Sequence, residues 1–93
     1  MALPQEEQLQ TASDVTGAIR QFVLKQFPLA RKNKIDNAGA LLEGGVLDSM
    51  GVLEVVTFIE SEYEISVSDD DLIPDNFQSI DRIAAFVRSR RKT

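Results

Sequence analysis

The sequence contains no cysteine and no histidine, two residue types on which much protein chemistry depends. Without cysteine, the chain can form no disulfide, no thiolate metal site and no cysteine nucleophile. Without histidine, it lacks the side chain best suited to proton transfer near neutral pH, and a Ser-His-Asp triad is impossible. An enzyme is therefore the least favoured of the functional hypotheses.

Long apolar runs are missing as well. No stretch approaches the roughly 20 consecutive apolar residues that a membrane-spanning helix needs. Residues 1–12 have neither a basic start nor an apolar centre, so they do not match a secretory signal. These two observations predict a cytoplasmic protein that does not associate with a membrane.

Positive charge is missing from the middle of the chain, whose net charge is −5. Between Glu43 and Asp81 there are 11 acidic residues and no lysine or arginine. A surface of that sign repels nucleic acid phosphates and speeds encounters with basic protein surfaces. Most acidic runs only keep a protein soluble. The unbroken sign around Ser49 nevertheless favours a docking surface for proteins and argues against nucleic acid binding.

Two local motifs suggest ion or phosphate binding, but neither has the required spacing. An EF-hand loop that began at Asp69 would need glycine where Pro74 stands and an acidic residue where Ile80 stands. The Gly44-Gly45 pair is not followed by the lysine of a phosphate-binding loop. The sequence therefore predicts no metal site and no nucleotide site.

The apolar pattern predicts helices joined by turns and one long loop. Thr11 or Ser13 can cap a first helix that ends near Phe27, because Pro28 stops it. Loops as long as the next one usually pack inward or carry function. Its inward-facing anchors are predicted to be Ile35, Leu41, Leu42, Val46 and Leu47.

A second helix is predicted to begin at Ser49, with Asp48 as its N-cap. The aspartate side chain can accept an unpaired backbone N–H, and its charge suits the positive end of a helix. One face of this helix is apolar and is expected to face the core. That face comprises Val52, Val55, Val56, Ile59 and Tyr63.

The remainder of the chain is predicted to form an extended connection and two more helices. Residues 65–67 alternate in polarity but have no visible partner strand. A short third helix is predicted over residues 69–73 and should end before Pro74. Ser79 is predicted to cap the last helix, whose buried stripe is Ile80, Ile83, Ala84 and Val87, with Phe86 beside it.

Several short motifs occur together between Leu47 and Val87. They are Asp48-Ser49-Met50, Ile65-x-Val67, Asp71 and Phe77-x-Ser79-Ile80. In composition and spacing this segment resembles the acyl carrier protein family, which includes the related peptidyl and aminoacyl carrier domains. The chain departs from the family pattern at three positions: Met50 replaces leucine, Gly51 replaces a polar or acidic residue, and Glu64 replaces glycine.

The resemblance implies a fold and a division of the chain. The expected fold is all-α, a four-helix bundle of the acyl-carrier type with a long first loop and a short third helix. A length of 93 residues predicts one small domain. We expect a flexible leader at residues 1–12, the carrier domain at residues 13–90 and a basic tail at residues 91–93.

The resemblance also implies a function without catalysis. In the family, the serine that aligns with Ser49 carries a 4′-phosphopantetheine arm derived from coenzyme A. The arm's terminal thiol holds an acyl or aminoacyl group as a thioester, which a stand-alone carrier passes between biosynthetic enzymes. Asp48 is expected to help position the helix start for the modifying enzyme. The pathway could be fatty acid, polyketide or nonribosomal peptide biosynthesis.

The same resemblance implies a set of partners and a docking face. Expected partners are a phosphopantetheinyl transferase, a ligase that loads the acyl or aminoacyl group, and downstream synthase or transferase enzymes. The carrier itself is expected to be a monomer. By position, the contacts of this family fall on Met50, Leu53, Glu54, Thr57, Glu60 and Ser61.

A helical adaptor is the alternative hypothesis. A serine that follows an N-cap aspartate is, taken alone, more often ordinary helix-start chemistry than an attachment site. In that case the face formed by Met50, Leu53 and Glu54 would bind one partner and Ser49 would never be modified. The adaptor hypothesis predicts full function after Ser49→Ala, whereas the carrier hypothesis predicts complete loss.

Overall fold

The computed structural model describes the backbone of residues 3–91 and the side chains of residues 15–91. Within these limits the chain forms five α-helices and one short 3-10 helix, and it contains no strand. The predicted all-α fold is therefore confirmed. The helices are α1 (Leu3–Gln26), α2 (Pro28–Lys32), α3 (Ser49–Tyr63), α4 (Pro74–Phe77) and α5 (Ile80–Arg90), with the 3-10 helix at Asp69–Asp71.

The first helix starts earlier than the sequence pattern predicts. It begins at Leu3, so the predicted caps Thr11 and Ser13 lie inside α1 and the predicted start was wrong. The glutamine and glutamate residues of this segment are good helix formers, and Pro4 is tolerated in a first turn. The division into leader, carrier domain and tail stays a prediction, and residues 1, 2, 92 and 93 lie outside the described residues.

Pro28 begins a helix as well as ending one. The residue before it, Phe27, is extended with φ −120° and ψ 100°, as expected before proline. Proline fits the first position of a helix because it has no N–H to leave unpaired. The resulting five-residue helix α2, which the sequence pattern did not predict, buries Ala30 in the core.

The long loop between α2 and α3 packs inward as predicted. Of its five predicted anchors, Leu41, Val46 and Leu47 are buried, and Ile35 and Leu42 lie partly buried against the core. Backbone hydrogen bonds tie the loop to the start of α5, from the Leu41 N–H to the Gln78 carbonyl (2.8 Å) and from the Asp81 N–H to the Asn37 carbonyl (2.9 Å). These bonds hold the loop against the start of α5.

The core lies between α1, α3 and α5. In α3, Val55 and Ile59 are fully buried, while Val52, Val56 and Tyr63 are partly buried against the core. This arrangement confirms the predicted apolar face of that helix. All four residues of the predicted stripe of α5 are buried, namely Ile80, Ile83, Ala84 and Val87, and Phe86 beside the stripe is buried as well.

Aromatic side chains join α1 to α3. The rings of Phe22 and Phe58 stack with their centroids 4.3 Å apart. Phe27 meets Phe22 edge-on at 6.2 Å, and Tyr63 meets Phe58 edge-on at 6.5 Å. Contacts of this kind add to the burial of apolar area and fix how the two helices face each other.

The predicted third helix over residues 69–73 is shorter than expected. It is a single 3-10 turn that ends at Asp71, and Pro74 then begins α4. Residues 65–68 have no regular secondary structure, which confirms the predicted extended connection. The last helix begins after Ser79, whose hydroxyl accepts the Arg82 N–H at 3.1 Å, as predicted.

Candidate functional site around Ser49

Asp48 caps the first turn of α3. Its backbone is extended, with φ −110° and ψ −169°, and its side-chain Oδ1 accepts the Gly51 N–H at 2.8 Å. Its own carbonyl accepts the Val52 N–H at 2.9 Å and so begins the helical ladder. The predicted N-cap is therefore present, and it fixes the backbone on which Ser49 stands.

Ser49 is the first helical residue, and it is exposed. Within the part of the chain that the structure describes, no hydrogen bond engages its hydroxyl group. A side chain at this position points away from the core and can be approached from solvent. The geometry suits covalent attachment of a group to Ser49 Oγ by another protein.

Gly51 allows a close approach of the chain to α3. A Cβ atom built at this position would lie 3.1 Å from Cε1 of Phe27 and 3.2 Å from Cδ2 of Leu47. Both distances are tighter than ordinary van der Waals contact, so the absence of a side chain lets Phe27 and Leu47 pack directly on the first turn. This contact gives a physical reason why residue 51 is glycine, where the family pattern has a polar or acidic residue.

An apolar groove of about 420 Å³ opens beside Ser49. Asp48 and Ser49 form a polar part of its rim, and apolar side chains from three segments make up most of its surface. Those apolar side chains are Leu42, Leu47, Val52, Leu53, Leu72, Ile73, Pro74 and Phe77. Ser49 therefore lies at the edge of a mostly apolar groove.

Sequence reasoning missed this groove. Its walls come from the long loop, α3, and the segment from Leu72 to Phe77, and they meet only in the folded chain. Leu72 and Ile73 are 37% and 46% exposed, although both are large apolar residues. An apolar pair next to Pro74, in a segment too short to bury both, was the one signal that could have indicated an open apolar surface.

Most of the predicted docking residues lie on one exposed face of α3. Met50 and Leu53 are 68% and 51% exposed. Glu54, Thr57 and Ser61 are also exposed and line a shallow groove of about 540 Å³ between α1 and α3. The structure thus brings five of the six predicted docking residues onto an accessible surface.

Glu60, the sixth predicted docking residue, makes an internal contact. Its carboxylate accepts the Val67 N–H at 2.9 Å, and the residue is only partly exposed. The bond anchors the extended connection, which has no strand partner, to the last turn of α3. Glu60 therefore has a structural role that its position in the sequence did not reveal.

Asp71 links the segment near the groove to α5. Its Oδ2 accepts the backbone N–H and the hydroxyl of Ser68, each at 3.0 Å, and its Oδ1 accepts from Arg90 at 2.5 Å. The hydrogen bond from the Ser68 N–H, together with those from the Ser68 hydroxyl and Arg90, holds the pKa of Asp71 below its ordinary value despite its burial. This carboxylate is therefore ionised near neutral pH.

Comparison with known proteins identifies proteins of similar sequence, although no protein-family model matches the chain. The acyl carrier protein homolog of Mycoplasmopsis pulmonis is 28% identical over 75 residues, which are 81% of this chain and 99% of that protein. The probable acyl carrier protein PigG of Serratia sp. is 26% identical over 66 residues, 71% of this chain and 76% of that protein. Over most of its length the chain is therefore similar to two proteins named as acyl carrier proteins.

This similarity to two named acyl carrier proteins confirms the resemblance inferred from the motifs, and the all-α fold agrees with it. The two relatives together support a carrier role for the chain. None of the described helices is both long enough and apolar enough to cross a membrane.

Proposed function

We propose that this protein is an acyl carrier that is modified on Ser49 with 4′-phosphopantetheine from coenzyme A. The observation that carries the proposal is the placement of an exposed serine on a capped helix start, at the rim of an apolar groove. The similarity to named acyl carrier proteins adds independent support. On this proposal the protein transports a reactive group and does not itself catalyse a reaction.

The residues around Ser49 fit such an arm. Ser49 Oγ would hold it through a phosphodiester, and the arm would supply a thiol that binds an acyl or aminoacyl group as a thioester. Asp48 keeps the helix start in place through its bond to the Gly51 N–H. The rigid first turn leaves Ser49 accessible to a modifying enzyme while the groove beside it remains open.

The charge of the chain supports brief encounters with several partners. The proposed partners are a phosphopantetheinyl transferase, a loading ligase, and the synthases or transferases that act on the carried group. The segment from Glu43 to Asp81 contains 11 acidic residues and no basic residue. Electrostatic attraction of this kind raises association rates more than it raises affinity. A carrier must dissociate from each partner, so it benefits when association is fast and affinity is modest.

The lining of the groove suggests the kind of cargo. Apart from Asp48 and Ser49 at the rim, every side chain around it is apolar. An acyl group with an apolar tail would be sheltered there from water, whereas a charged aminoacyl group would meet polar partners only in Asp48 and Ser49 at the rim. We therefore favour an apolar acyl cargo, of the kind made in fatty acid or polyketide biosynthesis, over a charged amino acid.

Intact-protein mass spectrometry tests the proposal directly. The protein is incubated with coenzyme A, Mg²⁺ and a broad-specificity phosphopantetheinyl transferase, beside the variants Ser49→Ala and Ser66→Ala. We expect the parent and Ser66→Ala, which changes an exposed serine elsewhere, to gain one phosphopantetheinyl group. Ser49→Ala should gain none.

Two outcomes would contradict the proposal. No mass gain on the folded parent protein would leave the adaptor hypothesis, in which the exposed face around Met50 and Leu53 binds a partner unaided. A mass gain on Ser49→Ala would place the attachment at another serine. Circular dichroism of each variant shows whether the comparison is made between folded proteins.

A further inference from the structure

The carboxylate of Asp71 is the point where the segment beside the groove meets α5. The side chain is only 11% exposed, and Arg90 is its ion-pair partner. Its other oxygen closes a capping box with Ser68. A buried carboxylate with charged and neutral donors on both oxygens is held in one orientation, because loss of any donor leaves part of it unpaired.

Arg90 is itself held in place by an aromatic neighbour. Its guanidinium carbon lies 5.0 Å from the centre of the Phe86 ring, within the range of a cation–π contact. The Phe86 ring lies 6.1 Å from the ring of Phe77, and Phe77 lines the groove. A continuous set of contacts therefore runs from the end of α5 to the groove floor.

The segment after Asp71 is fixed at a second point. The Asp71 carbonyl accepts from the side-chain amide of Asn76 at 2.8 Å. Leu72 and Ile73 lie between Asp71 and Asn76 along the chain, within the segment that this bond closes, and both line the groove. Because both side chains are more than a third exposed, apolar burial holds them less firmly than it holds a core residue.

We propose that the Asp71–Arg90 pair positions Leu72 and Ile73, and so sets the shape of the groove that receives the apolar end of a group carried on Ser49. This inference deepens the proposed function and rests on it. Asp71 and Arg90 are positioning residues, since neither lines the groove. Their effect reaches a carried group through the wall formed by Leu72 and Ile73.

The physical basis is preorganisation of the wall. A groove whose wall is already fixed binds an apolar chain without the cost of ordering side chains at the moment of binding. Removal of the ion pair frees the 3-10 helix from α5, and the wall then samples other positions. Binding of an apolar chain weakens, and the local backbone opens more often.

The test uses the full unmodified chain and the variants Asp71→Asn and Arg90→Gln, with Asp70→Asn as the matched control. Asp70 lies in the same 3-10 helix and is exposed, so its variant removes an equal charge from a neighbouring position. Each protein is titrated with 1-octanol, an uncharged apolar probe, while the methyl NMR signals of Val52, Leu53 and Ile73 are followed. Hydrogen exchange of the Leu72 amide, which donates to the Asp69 carbonyl, reports local opening.

In Asp71→Asn and Arg90→Gln, the octanol dissociation constant should rise about threefold or more, as expected when contacting charged side chains are coupled. Exchange of the Leu72 amide should accelerate by a similar factor, and the double variant should add little to either single change. Asp70→Asn should match the parent in both measurements. If Asp71→Asn does not fold, Arg90→Gln alone decides the question.

Failure of this proposal is distinguishable from failure of the proposed function. If the parent does not bind octanol, or if both variants bind it as the parent does, the positioning role is overturned whatever happens at Ser49. If the variants behave as expected but Ser49 takes no phosphopantetheinyl group, the wall is held as proposed and the carrier function is wrong. A change of equal size in Asp70→Asn would also overturn the inference, because it would reflect charge alone.

Discussion

Glu64 occupies a position where the fold requires an unusual backbone conformation. It ends α3 in the left-handed conformation, with φ 55° and ψ 47°. Glycine adopts this conformation without the steric cost of a Cβ, and it is the residue most often found after a helix C-terminus. The departure from glycine that the motif comparison identified is therefore a strained position.

Glu64→Gly should stabilise the protein by about 0.5 to 1 kcal/mol. The left-handed conformation costs a non-glycine residue about 1–2 kcal/mol, and part of that gain is lost because glycine makes the unfolded chain more flexible by roughly 0.4–1 kcal/mol. Urea unfolding followed by circular dichroism measures the difference. Glu62→Gly, two residues earlier inside α3, is the control and should lower stability by about 1 kcal/mol. Equal destabilisation of both variants would contradict the argument.

Asp71 gives the protein a measurable response to acid. Its pKa is lowered from the ordinary value of 3.8, chiefly by the hydrogen bond from the Ser68 N–H. A carboxylate whose folded pKa is depressed contributes stability that is fully present above 3.8 and is lost as the pH falls through the lower folded pKa. The difference in unfolding free energy between the parent and Asp71→Asn should therefore be constant near neutral pH and shrink in acid.

Urea unfolding at a series of pH values from neutral to strongly acidic measures this difference. Asp70→Asn serves as the control, and its stability relative to the parent should change less over the same range. A difference between the parent and Asp71→Asn that stays constant in acid would show that the folded protein does not favour the ionised form. A difference that grows in acid would reverse the assigned direction of the pKa.

At the scale of a secondary-structure element, the start of α3 combines two roles. Asp48 stabilises the helix by accepting the Gly51 N–H, and it places a negative charge beside Ser49. The first role needs only a short side-chain acceptor, whereas the second needs a charge. Substitutions can therefore separate stability from recognition.

Asp48→Ala should destabilise the protein by about 1 kcal/mol, because α3 loses its cap. Asp48→Asn retains an acceptor oxygen and should remain within about 0.5 kcal/mol of the parent. Thermal or urea unfolding measures both values, and Glu43→Ala, at an exposed position of the long loop, provides a control for loss of an acidic residue. A transferase rate that falls in Asp48→Asn at unchanged stability would assign recognition to the charge. Equal stability of Asp48→Ala and the parent would refute the capping role.

At the scale of the whole molecule, charge is distributed unevenly along the chain: the middle is acidic, and all lysines and arginines lie before or after it. No lysine or arginine lies between Glu43 and Asp81, and this span includes Ser49 and the exposed face of α3. A partner with a basic surface is steered toward this side of the protein. Salt screens such steering, with a Debye length of about 8 Å at physiological ionic strength.

Modification of Ser49 should slow as ionic strength rises, and the dependence should be weaker in the variant Glu54→Gln with Glu60→Gln. Glutamine at residue 60 keeps an oxygen that can accept the Val67 N–H, so the fold is preserved while two charges are lost. The transferase rate at low substrate concentration, measured across a salt series, tests this expectation. Asp36→Asn, which removes an acidic charge outside the segment, should keep the salt dependence of the parent. Identical slopes for all three proteins would exclude electrostatic docking through α3.

The sequence by itself determined the features that depend on neighbouring residues. Asp48 as a cap, Ser49 as the first residue of α3, and Ser79 as the cap of α5 all follow from hydrogen bonds that span three residues. The apolar stripes follow from helical periodicity, which is also a local property. The extent of α1 and the short helix α2 were missed because Thr11, Ser13 and Pro28 are compatible with more than one local structure.

Only the tertiary structure decided the features that join distant parts of the chain. The groove beside Ser49 brings Leu42 together with Phe77, and the Asp71–Arg90 pair spans 19 residues. Glu60 was predicted to dock partners, and its bond to the Val67 N–H depends on how the connection after α3 folds back. Each of these contacts forms between residues whose separation along the chain carries no periodic or capping signal, so the sequence pattern contains no local interaction from which to infer them.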